Sequence, residues 1–341
     1  MHKRKTYPSM EQTYRQDTKR LPKPRLKLED APLVNSLKDL IEIGNSIKFY
    51  KNLDTIMLWR ITPYLQELDR MVGMKSLKET LFYQIIYYIQ GMHLRNIGDE
   101  YLHTIIYGEP GTGKTTVAKI IGKIYQSMNI LSPNGTFKIA YRDDFIAGYL
   151  GQTATKTKKL LKASVGGVLF IDEVYSLAPR NTDKDSFSKE AIDTLTGFLS
   201  EHKNDFCCIV AGYEDEIRNC FFGMNKGLER RFPWIHRIEK YTSEELYEIF
   251  MLKVKESKWE IAFKKEDLLS IIETNKNFFV NAGGDIETFI SKCRMIHSKR
   301  VFSLSKEHKF IFTKEDLEEA LAFLKKNNTT KVNEPPLGMY L

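Results

Sequence analysis

Eight residues, "GEPGTGKT" (108–115), have the types and spacing to hold phosphate. They satisfy G-x-x-x-x-G-K-[ST], and the run follows an apolar, β-branched stretch and opens a helical one, as the motif requires. Backbone N–H groups from Gly111 to Lys114 can wrap a phosphate chain, assisted by the helix N-terminus. Gly111 and Gly113 allow a tight backbone with positive φ. Lys114 can reach the terminal phosphates, and the Thr115 hydroxyl can serve magnesium. A second stretch, "GVLFIDEVYSL" (167–177), ends four apolar residues on Asp172 and Glu173. Two carboxylates at the end of a buried strand are costly unless they have work. Asp172 can assist the metal, and Glu173 can orient and polarise an attacking water. Phosphoryl transfer to water needs little more than such positioning and charge stabilisation.

These groups must be carried by something rigid. Five short apolar runs alternate with helical patterns: "HTIIY" (103–107), "FKIAY" (137–141), "GVLFI" (167–171), "FCCIV" (206–210) and "HRIEK" (236–240). Helical patterns fill 114–127, 153–163, 188–202 and 213–222. Alternation with nearly uninterrupted apolar strands predicts a five-stranded parallel sheet between helices. Ligands of such sheets bind beyond the carboxyl ends of the strands, where both phosphate-handling stretches fall. Before the sheet, residues 33–59 have helical spacing and predict one or two amphipathic helices ended by Pro63, and 77–94 predict a longer apolar helix closing near Gly91. After Tyr241 no strand is evident, and four helical patterns, several opening on Thr, Ser or Asp before Glu, predict an all-helical lid. The expected division is a basic tail (1–32), an N-terminal helical extension (33–66), an α/β nucleotide-binding core (67–241), a helical lid (242–328) and a C-terminal tail (329–341).

The chain has 341 residues, 42% of them hydrophobic, enough for about two domains. No apolar run approaches a bilayer span, and the basic N-terminus lacks the apolar region of a secretory signal. The four cysteines form no CxxC pair and read as packed thiols in a reducing, cytoplasmic setting. The net charge of +8 is concentrated in residues 1–27, which hold nine Lys/Arg and two acids. Such a tail reads as solvated, with nucleic acid or an acidic partner as the alternative.

The runs "YGEPGTGKTTVAKIIGKIY", "GYLGQTATKTKKLL", "GGVLFIDEVYSL", "EAIDTL", "VAGYEDEI" and "NKGLERRFP" resemble, in order, the AAA+ ATPases, in the branch of CbbX-type Rubisco activases and sporulation protein K. "YYIQGMHL" and "DSFSKEAIDTL" resemble versions carried by large nucleocytoplasmic DNA viruses, which would place the chain in host cytoplasm. The resemblance implies ATP and Mg2+ as cofactors, with Gly108, Glu109, Pro110, Gly111, Thr112, Gly113, Lys114, Thr115 and Thr116 as the phosphate-binding run. Met71, Val72 and Gly73 match a linker that packs on the adenine. Tyr213 falls at the sensor-1 position, where contact with the γ-phosphate and simple packing both stand open. Arg231, with Arg230 beside it, matches an arginine finger offered to the neighbouring subunit. Gly283, Gly284 and Asp285 stand where many relatives carry a sensor-2 arginine, so no such charge is carried over. Glu109 replaces the family's usual proline, and its side chain is expected to point outward.

In "AGYLGQT" (147–153), Tyr149, Leu150 and Gly151 match the aromatic–aliphatic–glycine triplet that lines the central pore of the family's rings. Lys156, Lys158 and Lys159 follow and would make that face basic. The resemblance therefore implies a homo-oligomeric, hexameric ring that threads a protein client. A nucleic-acid motor or loader using the basic tail is the alternative. No zinc motif, helix-turn-helix or interleaved basic–aromatic stripe supports it. A nucleotide-dependent scaffold with weak turnover is a third reading, opposed by the intact Asp172–Glu173 pair.

Overall fold

The computed structural model describes residues 29–46, 48–96, 100–149, 151–179, 186–225 and 227–330. Most of the basic tail, Leu150 and most of the C-terminal tail lie outside these residues. Three helices come first: α1 (Leu37–Asn45), α2 (Thr55–Arg70) and α3 (Lys75–Ile89). The sheet region follows as β1 (Thr104–Tyr107), α4 (Lys114–Ser127), β2 (Phe137–Ala140), α5 (Arg142–Phe145), α6 (Thr153–Lys162), β3 (Val168–Ile171), α7 (Ser186–Glu201), β4 (Cys207–Gly212), α8 (Glu214–Glu216) and β5 (Trp234–Arg237). The remainder is α9 (Ser243–Glu256), β6 (Glu260–Ile261), α10 (Lys265–Thr274), α11 (Gly283–Arg300), β7 (Ile311–Phe312) and α12 (Lys314–Thr330).

The five strands form one parallel sheet in the order β2-β3-β4-β1-β5. β4 therefore separates the strand feeding the phosphate loop from the strand feeding the carboxylates. Both faces are covered. Alternate residues of β1, Ile106 and Ile105, enter two different apolar clusters, one shared with α1–α4 and the other with α7 and the segment before β5. A third cluster lies within the C-terminal helices, around Phe250, Phe289 and Phe312.

Four local expectations are corrected. Pro63 does not end a helix but lies inside α2. An internal proline costs about 3 kcal/mol. Leu58, Ile61, Leu65 and Leu68 of the same helix are fully buried, and each such side chain contributes roughly 1.5–3 kcal/mol. Burial therefore outweighs the proline. The fifth strand begins at Trp234 rather than His236, because its register with β1 pairs Thr104 with Trp234. A proline just before an edge strand, here Pro233, leaves no interior hydrogen bond unmade. The lid is helical except for one two-residue parallel pair, β6–β7, too short to show any alternation in the sequence. The stretch after β4 is also less regular than a helix over 213–222. It runs as α8, a π turn (Ile217–Phe221) and a 3-10 turn (Phe222–Met224).

Candidate functional site

β1 is buried along its length and hands the chain to the phosphate loop at Gly108, whose N–H is held by the Gly212 carbonyl at the end of β4 (3.1 Å). Gly111 (φ +70°) and Gly113 (φ +91°) take the left-handed backbone. Gly113 is also the N-cap of α4 and gives it no side-chain cap. The first N–H groups of α4 thus face outward without a side-chain acceptor, an arrangement that attracts an anion. The Lys114 ammonium is buried and donates to the Gly108 (3.1 Å) and Glu109 (2.9 Å) carbonyls. Burial pulls its pKa below the ordinary lysine value, while Asp172, Glu173 and Glu109 oppose that pull. A phosphate chain would supply the missing counter-charge. Glu109 points out of the loop toward Lys240 (3.6 Å), the outward direction expected of its side chain.

Asp172 and Glu173 leave β3 at its carboxyl end. Glu173 adopts φ +47°, ψ +49°, and its N–H is held by Asp172 Oδ1 (3.0 Å). A left-handed non-glycine residue stores on the order of 1–3 kcal/mol of strain, which here leaves the Glu173 side chain exposed. Tyr213 follows β4 and is partly exposed. Burial, then Glu109 and Glu173, raise its pKa. Its ring lies 6.1 Å from that of Tyr175, whose hydroxyl is pushed up to about 12 by burial and then by Glu173. Gly212 (φ +153°) makes room for this pair, because a Cβ there would lie 2.8 Å from Tyr175 Cε1.

A cleft of about 600 Å³ joins the phosphate loop to the lid. Met71, Val72, Lys114, Thr115, Asp172 and Gly284 are among the residues lining it. The linker is fixed by Lys78, whose ammonium donates to the carbonyls of Asp69 (3.0 Å) and Met71 (2.6 Å). Gly73 (φ +66°) and Met74 (φ +56°) then turn the chain into α3. From the lid side, the Tyr241 hydroxyl donates to the Thr112 carbonyl (3.2 Å). Lys253 of α9 pairs with Glu287 of α11 (2.6 Å) at the rim of the same cleft. Lys78, Tyr241 and this pair escaped the sequence reading. Each acts by reaching backbone or side chains distant in sequence, which leaves no local pattern.

The donor set fits a nucleotide with magnesium. Thr115 and Asp172 offer hard oxygen ligands in one cleft, and magnesium characteristically takes one or two carboxylates together with phosphate oxygens. The structure thus brings together the phosphate loop, Asp172, Met71 and Val72. Arg230, Arg231 and Tyr149 lie outside this cleft. Arg231 sits in the 3-10 turn Glu229–Arg231, where its Nε donates to Ser200 Oγ (2.8 Å) and its Nη1 to the Gly227 carbonyl. Arg230 is exposed. Tyr149 is 75% exposed, and nothing lies within 4 Å of a Cβ built on Gly148 or Gly151. Lys156, Lys158 and Lys159 are all exposed, and the Lys156 ammonium donates to the Asp143 (2.5 Å) and Ile146 (2.9 Å) carbonyls.

Residues 104–224 match the family described as "ATPase family associated with various cellular activities (AAA)". The chain is 40% identical over 273 residues to the "Putative cfxQ-like protein R730" of Acanthamoeba polyphaga mimivirus, covering 78% of this chain and 66% of that relative. It is 37% identical over 236 residues to "Stage V sporulation protein K" of Bacillus subtilis, covering 67% and 72% of the two chains. Among solved structures, the FIGL-1 AAA domain in complex with ADP superposes with a TM-score of 0.51 at 16% identity, covering 80% and 82%. That likeness concerns the fold.

Proposed function

The chain belongs to the AAA family of ATPases, and on that footing we propose that it forms a homo-oligomeric, hexameric ring that spends ATP hydrolysis on threading or remodelling a protein client. The α4 N-terminus and the loop N–H groups hold the phosphate chain, and Lys114 bridges its terminal phosphates. Val72 and Gly73 pack on the base. Thr115 and Asp172 would hold magnesium, which would neutralise charge between the phosphates. Glu173 orients a water and takes its proton as the bond to the γ-phosphorus forms and the bond from that phosphorus to the β–γ bridging oxygen breaks, releasing ADP and phosphate. Arg231, with Arg230 beside it, stabilises the developing charge from the neighbouring subunit, and Tyr213 lines the site at the end of β4. The observation that carries the client reading is Tyr149, exposed between two unencumbered glycines on a loop separate from the nucleotide cleft.

The test compares Lys114→Ala, which should lose nucleotide binding, with Glu173→Gln, which should bind ATP and hydrolyse it poorly. Normal turnover in Glu173→Gln removes Glu173 from its role. ATPase stimulation by an unfolded polypeptide supports the remodelling reading. Stimulation by DNA alone would replace it with the nucleic-acid motor.

A further inference from the structure

We propose that Arg142 is a positioning residue that couples the Asp172–Glu173 turn to the loop carrying Tyr149, a role that rests on the client-threading reading above. Two segments of the structure have to be linked for hydrolysis to move that loop, and one side chain spans them. The first segment is the continuation of the carboxylate pair. Directly after Glu173 the chain makes a single 3-10 turn, Val174–Leu177, with Val174 and Leu177 buried. Glu173 enters this turn from the left-handed region at φ +47°. Any relaxation of that backbone as the γ-phosphate leaves must be passed to the carbonyls just downstream. Arg142 Nη1 donates to two of them, Ser176 (2.5 Å) and Ala178 (3.1 Å).

The second segment begins with Arg142 itself, the first residue of α5. That helix is fastened to α6 at several points. Thr157 Oγ1 donates to the Phe145 carbonyl (3.1 Å), and Lys156 holds the carbonyls of Asp143 and Ile146. The Ala147 N–H donates to Thr153 Oγ1 (3.2 Å), and Phe145 is fully buried. With α5 and α6 fixed to each other, the described part of the intervening loop that lacks such side-chain anchors is Gly148 and Tyr149, followed by Gly151 in the left-handed region (φ +78°). A pull on Arg142 therefore shifts α5 and α6 as one piece, and Tyr149 rides at its tip. β2, which delivers Arg142, pairs directly with β3, which delivers Asp172. The two ends of the link therefore start from adjacent strands, and a single side chain suffices to join them.

The test is amide hydrogen exchange on the full-length chain, with a non-hydrolysable ATP analogue and with ADP, read over residues 146–152. In the unmodified protein, exchange there should differ between the two nucleotides by about tenfold, within the range typical of coupled sites. Arg142→Ala should erase that difference while leaving nucleotide affinity and exchange in the phosphate loop as they were. If Arg142→Ala does not fold, Arg142→Gln replaces it, keeping a donor too short to hold both carbonyls. A loop in either folded variant that keeps the full nucleotide response overturns the proposal, as does a loop in the unmodified protein that shows none. The threading reading is scored separately, by whether Tyr149→Ala loses ATPase stimulation by reduced, carboxymethylated lactalbumin. A Tyr149 variant that is still stimulated removes that reading and leaves the Arg142 result standing on its own measurement.

Discussion

Gly111 of the phosphate loop and Gly284 at the head of α11 meet backbone to backbone. A Cβ built on Gly111 would lie 2.9 Å from the Gly284 nitrogen and closer still to the Asn281 carbonyl. The lid thus seats on the loop only because Gly111 carries no side chain, whereas a Cβ on Gly284 would meet Gly111 Cα at an ordinary 3.7 Å. Gly111→Ala faces two penalties: a left-handed conformation costing about 1–2 kcal/mol, and a collision with backbone that only displacement of the lid relieves. We expect nucleotide affinity to fall by roughly tenfold or more, with a lower melting temperature. Fluorescent-nucleotide titration and thermal unfolding measure both. Wild-type affinity would mean that the lid does not rest on the loop when nucleotide binds.

Acid sensitivity should come first from two buried histidines. His103 Nδ1 accepts the Cys208 N–H (3.2 Å), so its proton sits on Nε2, 3.2 Å from the Leu199 carbonyl. Burial lowers its pKa from 6.5 to about 4, and that of His236 to about 3. Both values are depressed relative to the unfolded chain, so the unfolded state binds protons first as pH falls. Their stabilisation is complete above 6.5 and is lost progressively down to about 4 for His103 and about 3 for His236. Each contributes a slope of up to about 1.4 kcal/mol per pH unit in its window. Urea unfolding at pH 7.5 and 5.5 should show the loss, and His103→Asn should reduce it to the share that His236 supplies. A pH-independent midpoint across that range would contradict the neutral assignment.

How much of this was readable beforehand depends on the range of the interaction. The phosphate loop and α4 were legible because glycine, lysine and helix-start chemistry lie within eight consecutive residues; the predicted span 114–127 is the observed helix. Asp172 and Glu173 were legible because charge after four apolar residues breaks a pattern. Pro63 misled, since the burial that overrides it is tertiary. Lys78, Arg142 and Tyr241 were invisible because each sends a long side chain to a carbonyl that sequence spacing does not bring near it. Arg231 was legible as a cation before the last strand, but not as one tied within its own subunit.

That tie separates the two arginines experimentally. Arg231→Ala leaves Ser200 and Gly227 without their donor, which costs on the order of 1–3 kcal/mol where the site is buried, so its melting temperature should drop. Arg230→Ala should melt like the unmodified protein. For catalysis across a subunit boundary, loss of the arginine finger costs on the order of 10³-fold in rate. Mixing Arg231→Ala with Glu173→Gln should then recover ATPase at interfaces that pair an intact Glu173 with an intact neighbouring Arg231. Rings that demonstrably co-assemble without recovery would refute action in trans.

Tyr149 offers the sharpest separation of structure from function. A large aromatic in a core costs roughly 3–5 kcal/mol when cut to alanine. Tyr149 is 75% exposed, and surface substitutions of this kind change stability by about 0.5 kcal/mol or less. Tyr149→Ala should therefore unfold at the same temperature and hydrolyse ATP at its basal rate. If the ring of this tyrosine grips an extended polypeptide, the same variant should lose stimulation by an unfolded protein, because it removes the aromatic member of the triplet. Melting, basal ATPase and stimulated ATPase are to be measured on one preparation. Unchanged melting with lost stimulation ties Tyr149 to the client. Unchanged melting with full stimulation means that the client is gripped elsewhere, and a large fall in melting temperature means that the tyrosine packs within its own subunit after all.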